Sequence, residues 1–382
     1  MMGSRITRAL IAPVAAAVAA IVISSIALLI SGNNPFTAFN EMWKNVNTAE
    51  SIVLIINRSV PYYVSGVAVA IGFKMNLFNI GANGQYILAA LVAAWAGAQV
   101  SLPAPIHVAF ILLIAMTVGA GWASIAAILK VTRNVNEVIS TIMLNFIATG
   151  LVAFLLAEQF REQTSGSLVA QTETLPPSAR LPTLDRLFEW TGLDFGNAQL
   201  LGFLPFAIAL GIGYHLLLNR SRFGYELRLS GANPDAARSS GVNPNAMIMK
   251  TIILSGAVAG LIGMHSLLAD PQFFKYGDQF PRMLGFTGIA LALLGRNHPA
   301  GIAAAAFVWG TIERGTQPLS LLGIPPEIGV IMQGSFLLSA IIAYEVVKRR
   351  NDAAAAAEAS KAIHEPPPSS PPGHTDAAGV RT

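Results

Sequence analysis

Apolar residues run along this chain in long, uninterrupted stretches, not in the alternation of strands. A membrane-crossing helix needs roughly 20 mostly apolar residues, and fewer if it turns back inside the bilayer. Stretches of this kind cover Ala9 to Ile30, Ser59 to Phe73, Val138 to Ala157, Phe195 to Leu218 and Thr251 to Ala269. Others cover Met283 to Gly295, Asn297 to Ile312 and Ile328 to Tyr344. The interval from Met75 to Leu129 holds no charged residue and is long enough for two spans, divided around residues 101–105. The pattern predicts an all-α polytopic membrane protein with roughly ten transmembrane helices, several of them short and glycine-interrupted. The missing period-2 alternation disfavours a closed β-barrel. The first stretch exceeds the roughly 7–15 apolar residues of a signal peptide, which favours an uncleaved first helix.

Composition agrees. Of 382 residues, 53% are hydrophobic and only 12% charged, against about 25% charged in a soluble domain. Such a chain cannot cover a water-facing surface. Cysteine is absent, which excludes a disulfide scaffold, thiolate metal sites and a cysteine nucleophile. The 34 Gly and 22 Pro predict broken or closely packed helices near the midplane.

The net charge of +4 reads through loop asymmetry and not as a nucleic-acid footprint. With a cytoplasmic N-terminus and alternating crossings, fourteen Lys and Arg fall in inner segments and eight in outer ones. That is the positive-inside bias, and it places both termini in the cytoplasm. Residues 1–350 then form the transmembrane domain, with an extracytoplasmic loop at 159–197 and a cytoplasmic loop at 219–250. Residues 351–382, alanine-rich and then proline-rich, read as a disordered cytoplasmic tail.

No glycine-rich loop ending in Gly-Lys-Ser/Thr is present, so ATP is not bound in that way. The six histidines are scattered without metal-pair spacing, and no membrane-depth carboxylate dyad appears. The sequence therefore offers no catalytic residue, no metal site and no cofactor, and an enzyme is not expected.

What it offers is polar and neutral. The run from Lys74 to Gln85 interrupts an apolar region with Asn76, Asn79, Asn83, Gln85, Gly81 and Gly84. Unwound backbone at membrane depth survives only where protein or a water-filled cavity satisfies it, and amides there present donors and acceptors to a neutral polar solute. The same residues also suit a cytoplasmic turn capped by Asn79 or Asn83. A second short apolar segment, Met283 to Pro299, is broken by Gly285, Gly288 and Gly295. Paired short, glycine-interrupted segments point to two repeated halves around a central pathway.

In the loop 219–250, Asn233-Pro234-Asp235-Ala236-Ala237 leads to Gly241. Asn233 suits a helix cap, Pro234 a first helical position, Asp235 the positive helix end and Gly241 the exit. A short exposed helix with a small-residue face is expected, which a soluble partner can grip as a lever. An ordinary juxtamembrane helix fits the same residues.

These residues resemble the membrane permease subunits of bacterial ABC importers. Asp235-Ala236-Ala237-x-x-x-Gly241 is similar to the Glu-Ala-Ala-x-x-x-Gly loop of that superfamily, with Asp for Glu. Asn134 through Ala148 is similar to the Asn-Glu-Val-Ile…Thr-Ile-Met-Leu-Asn segment of the nucleoside and simple-sugar permeases, of branched-chain amino acid/ribose type. Leu77–Gly81 with Gly84-Gln85, and Gly288 through Gly295, look like two further segments of that family.

The resemblance implies a permease that moves a nucleoside or simple sugar across the bacterial plasma membrane by alternating access. It implies two permeases, identical or paralogous, two ATPases carrying ATP and Mg, and an extracytoplasmic solute-binding lipoprotein. Asp235, Ala236, Ala237 and Gly241 would couple to the ATPase. Asn79, Asn83, Gln85, Asn145 and Thr287 are candidates for the solute path. The family often carries an acidic residue where this chain has Asn83 and again where it has Thr287, which leaves the solute open. Two rivals stand beside this reading: an ion-coupled secondary transporter, and a membrane scaffold that transports nothing.

Overall fold

The computed structural model describes residues 2–162, 169–185 and 196–364. Among them every regular element is helical, apart from an isolated bridge between Gln171 and Gly277. Helix α1 (Met2–Ile30) turns by 119° into α2 (Pro35–Val46). The turn is fixed by Asn34, whose side chain caps α2 at Phe36 N.

Four helices follow: α3 (Ala49–Phe73), α4 (Ala82–Ala98), α5 (Ala104–Arg133) and α6 (Glu137–Glu158). Next come α7 (Leu204–Arg220), α8 (Arg222–Ala232), α9 (Pro234–Ser239), α10 (Pro244–Gly260) and α11 (Met264–Ala269). The chain closes with α12 (Leu284–Leu294), α13 (Pro299–Thr316) and α14 (Glu327–His364).

Among the described residues, five helical stretches are long and apolar enough to cross a bilayer, one of them α10 continued through α11, and the bent α1–α2 pair makes a sixth if it counts as one span. The protein is a multi-pass membrane protein. The difference from ten lies in particular helices. With 11 residues, α12 extends about 16 Å at 1.5 Å per residue, roughly half of a bilayer core. Helices α4 and α7 have 17 residues each, and α13 carries Glu313 and Arg314.

Other boundaries shift too. Helix α3 begins at Ala49, ten residues before the apolar stretch that announced it, so Arg58 lies inside a spanning helix and not in a loop. Arg314 likewise sits in α13. The last helix runs on through 351–364, which the sequence assigned to the tail. Residues 365–382 and parts of the 159–197 loop lie outside the described residues.

Packing follows membrane logic. With lipid as apolar as leucine, helices associate where small residues let backbones touch. Helix α5 meets α10 through Ala115, Gly119 and Ala123: a Cβ on Gly119 would lie 2.3 Å from the Gly256 carbonyl oxygen, and one on Gly260 2.1 Å from that of Ala115. The opposite faces of α5 and α6 carry exposed Leu113, Ile125, Met143, Phe146 and Phe154. Helix α3 occupies the centre, packed against α10, α12 and α13, while α10 packs against α4 and α5.

Candidate functional site

The connection from α3 to α4 is where helical hydrogen bonding stops. Met75 N and Leu77 N both return to Gly72 O, at 2.9 and 3.0 Å, and Asn76 takes a left-handed φ of 57°. Helix α4 starts at Gly81 without a side-chain cap. Its free backbone groups must be satisfied inside the protein, and amide side chains do that.

Asn145, on α6, accepts from Gly84 N at 2.8 Å and donates to Ile80 O at 2.9 Å. Asn79 and Gln85 exchange a reciprocal amide pair, both bonds 2.9 Å. Asn79 also donates to Ser255 Oγ on α10 at 2.8 Å, and Ser255 donates to Ala68 O on α3 at 2.7 Å. All four side chains are buried.

Three of the five sequence-derived path residues, Asn79, Gln85 and Asn145, therefore converge, and each is bound to protein. Asn83 is buried beside them with its Oδ1 unpartnered. Thr287 stands apart on α12, and its hydroxyl reaches only Met283 O of its own helix at 3.4 Å.

The two glycine-marked turns meet. A Cβ on Gly285 would lie 2.4 Å from both N and Cα of Asn83. Their sequences correspond: Gly81-Ala82-Asn83-Gly84 matches Gly285-Phe286-Thr287-Gly288 in spacing, and Ser65-Gly66 on α3 matches Ser255-Gly256 on α10. Ser65 donates to Leu284 O at 2.8 Å at the second turn, where Ser255 accepts from Asn79 at the first. Both serines escaped the sequence reading; a Ser-Gly step recurring inside two apolar stretches was the available signal.

The α8–α10 region folds as its residues dictate. Asn233 accepts from Asp235 N and Ala236 N, and Asn243 caps α10 in the same way, each followed by proline. Gly241 takes φ +77° at the exit of α9, a conformation that costs glycine little. Asp235 is exposed and pairs with Arg238 at 2.7 Å, a surface contact of small energetic weight. Ala236 is exposed, but Ala237 is fully buried. Of the two alanines only Ala236 therefore faces outward; Ala237 is buried, and its carbonyl closes the helix exit by accepting from Val242 N at 2.9 Å.

This lever touches the break. A Cβ on Gly231, at the end of α8, would lie 2.7 Å from Met75 Cα, and Asn76 Nδ2 donates to Gly231 O at 2.9 Å. Thr251 of α10 donates to Met75 Sδ at 3.3 Å. Partial burial, with the Arg228 charge nearby, lowers the pKa of Lys74 from its ordinary value. Among the described residues no group of three His, Asp or Glu side chains is placed to hold a metal ion.

The polar break is thus clamped by amides and packed against the end of α8, and comparison with known families decides the assignment. The model of the branched-chain amino acid transport system permease component matches residues 51–341. The chain belongs to this permease family.

Its members are transport subunits and not enzymes. The glucose ABC transporter permease TsgB13 of Haloferax volcanii is 30% identical over 345 residues, covering 88% of each chain. The guanosine ABC transporter permease NupP of Bacillus subtilis is 29% identical over 340 residues, covering 88% of this chain and 94% of its own. The nucleoside ABC transporter permease NupB of Lactococcus lactis is 28% identical over 335 residues, covering 87% and 90%. No solved structure matches.

Proposed function

We propose that this permease carries a nucleoside or a simple sugar inward across a bacterial plasma membrane by alternating access, with both termini cytoplasmic. ATPase subunits holding ATP and Mg would drive it, beside a second permease and an extracytoplasmic solute-binding lipoprotein. The solutes named for the relatives support the substrate class.

The observation that carries the reading is the union of lever and break. The α8–α9 helices rest on Met75 and Asn76, and from there the chain leads directly into the Asn79–Gln85–Asn145 cluster. A partner that prefers one position of α9 would bias the break, and only such differential contact can shift the equilibrium. Asp235, Ala236, Ala237 and Gly241 would form the coupling element: Ala236 at the ATPase surface, Ala237 as its root, Asp235 and Gly241 setting its ends. In the solute path, the free Oδ1 of Asn83 offers a contact. Asn79, Gln85 and Asn145 would shape the path, with Thr287 facing it from the second half.

Roughly ten crossings in two repeated halves fit the packing. Taking α3–α6 and α10–α14 as halves, α3 packs on α12 and α13, as α10 packs on α4 and α5. The paired Ser-Gly and Gly-x-x-Gly steps support the same division. Residues 1–350 would be the permease domain, with 351–382 beyond it as a cytoplasmic tail into which α14 extends as far as His364. Arg58 and Glu313 place charge inside α3 and α13, as an ion-coupled carrier would also need; family membership favours the importer instead.

The test is uptake of guanosine and glucose by vesicles holding the permease, its ATPases and its binding protein. Vanadate-sensitive uptake that requires the ATPases supports the reading; uptake driven by an ion gradient alone contradicts it. Ala236→Arg should abolish co-purification of the ATPase while the permease stays in the membrane. Wild-type co-purification would count against the assigned face.

A further inference from the structure

Charged residues inside a spanning helix are costly and tend to mark function. Helices α3 and α13 cross at Gly310, where a Cβ would lie 3.0 Å from Ser59 Oγ. On one side of that crossing, α3 presents Arg58 and Tyr62, one turn apart, to Trp309 and Glu313, one turn apart on α13. Arg58 Nη1 meets Glu313 Oε1 at 2.5 Å, and the Tyr62 hydroxyl donates to Glu313 Oε2 at 2.6 Å. Tyr62 and Trp309 pack against the same apolar cluster of Leu291, Ala305 and Ala306. Arg58 lies about 13 Å below the start of α3.

Two facts argue against a purely structural clasp. The pair is open, with Arg58 37% and Glu313 31% exposed at the side chain. A bare charge pair facing hydrocarbon at that depth is unfavourable, so the open side meets water, a polar solute or the second permease, and the first two suit a solute path. Second, the opposite side of the same crossing is wholly different. There Ile56, Val60, Ile208, Ile212 and Phe307 help to line an apolar cavity of about 410 Å³. One side of the crossing suits lipid and the other does not.

The four side chains also have a common chemistry. A carboxylate and a guanidinium hydrogen-bond adjacent hydroxyl groups, and aromatic rings pack against the C–H face of a sugar. Arg58 uses one of its five N–H groups, and the rest meet no acceptor among the described residues. Asp270, at the end of α11, is close enough to feel the Arg58 charge; burial raises its carboxyl above the usual carboxylate range, with the Gln272 N–H and Arg58 pulling it back.

We propose that Arg58, Tyr62, Trp309 and Glu313 form a receiving site for the vicinal hydroxyls of a pentose or hexose ring on the side opposite α9. This rests on the nucleoside-or-sugar reading above and names residues for its first contact in the membrane. On arrival the solute exchanges its hydroxyls for part of the Arg58–Glu313 contact. No bond to carbon is made or broken.

The experiment is uptake kinetics of guanosine and 2′,3′-dideoxyguanosine, with glucose as the second probe, in the complete reconstituted complex. Wild-type complex moving neither guanosine nor glucose would defeat the substrate reading itself. Given wild-type uptake, Glu313→Gln and Arg58→Gln should each raise KM for guanosine or glucose about tenfold. KM for the dideoxy compound should change little, so discrimination between the two nucleosides collapses. The binding protein is identical throughout, so such a change belongs to this chain.

Tyr62→Phe keeps the ion pair and should raise KM about threefold. If the other variants fail to insert, this one still decides: wild-type KM and discrimination would overturn the proposal. The exchanged pair, Arg58→Glu with Glu313→Arg, should insert yet retain the raised KM. Full restoration of uptake and discrimination by that exchange would reduce the quartet to a structural ion pair and overturn the proposal.

Discussion

The turns Gly81–Gly84 and Gly285–Gly288 share their spacing and differ in what holds them. The first is tied by side-chain amides to α6 and α10, through Asn145, Asn79 and Ser255. The second is seated by shape. Gly285 lies on the Asn83 backbone and Gly288 on that of Ser65. The side-chain bonds that tie it to other helices are those donated by Ser65 to Leu284 O and by Tyr86 to Pro281 O. Met283, with φ 70° and 60% exposed, begins α12 without a capping side chain. Equal glycine spacing therefore builds a clamped element in one half and a close-fitting one in the other. The clamped turn touches α8 at Gly231, and the proposed coupling requires it to move as a body with α8 and α9. The fitted turn can separate from α3 with few polar bonds to break.

Filling the seat should have the largest effect. Gly285→Leu drives a side chain into the Asn83 backbone, and overpacking of that kind costs about 3 kcal/mol. The yield of intact permease in mild detergent should collapse; an unchanged yield would show that the turns are not in contact. Next is Asn145→Leu, which leaves Gly84 N–H and Ile80 C=O buried without partners, at about 2 kcal/mol. Its thermal midpoint should fall by several degrees, and an unshifted midpoint would break the contrast between clamped and fitted turns.

Asn76→Ala removes one exposed bond to Gly231 and should leave stability within about 1 kcal/mol. Its effect belongs to coupling: solute moved per ATP hydrolysed should fall about threefold, a loss of the size that contacts between sites carry. Unchanged stoichiometry would mean that the bond transmits nothing. Thr287→Val should be the mildest, about 0.5 kcal/mol or less, since its 3.4 Å bond stays within one helix. A larger stability loss in a melting experiment would place a buried partner there.

The sequence discloses what depends on neighbours along the chain. Asn233, Pro234 and Gly241 announce a cap, a first turn and an exit because each acts within a few residues. Val138 to Ala157 marks α6 to within a residue at each end because nothing charged interrupts it. Contacts across the fold stay hidden. Ser255 bonds Asn79 across 176 residues, and no local pattern announces it. Arg58 lies inside α3 but ends the apolar stretch that hydropathy follows, and its partner Glu313 is 255 residues away. Ala236 and Ala237 look alike in sequence; which one faces outward depends on how α9 docks against α8 and α10. The short α12 shows the limit most plainly, because glycine and leucine continue an apolar stretch whether or not it reaches across a bilayer.

The central claim is that lever and break move as one body. The chain has no cysteine, so spin labels can be attached at Phe78→Cys in the break and Ser239→Cys on α9, both exposed. Their separation should be measured in the complete complex, nucleotide-free and then with ATP and vanadate. The account predicts one distance distribution, unchanged between the two states while uptake is retained. A shift of several ångströms between them would show the lever sliding over the break, and would contradict it.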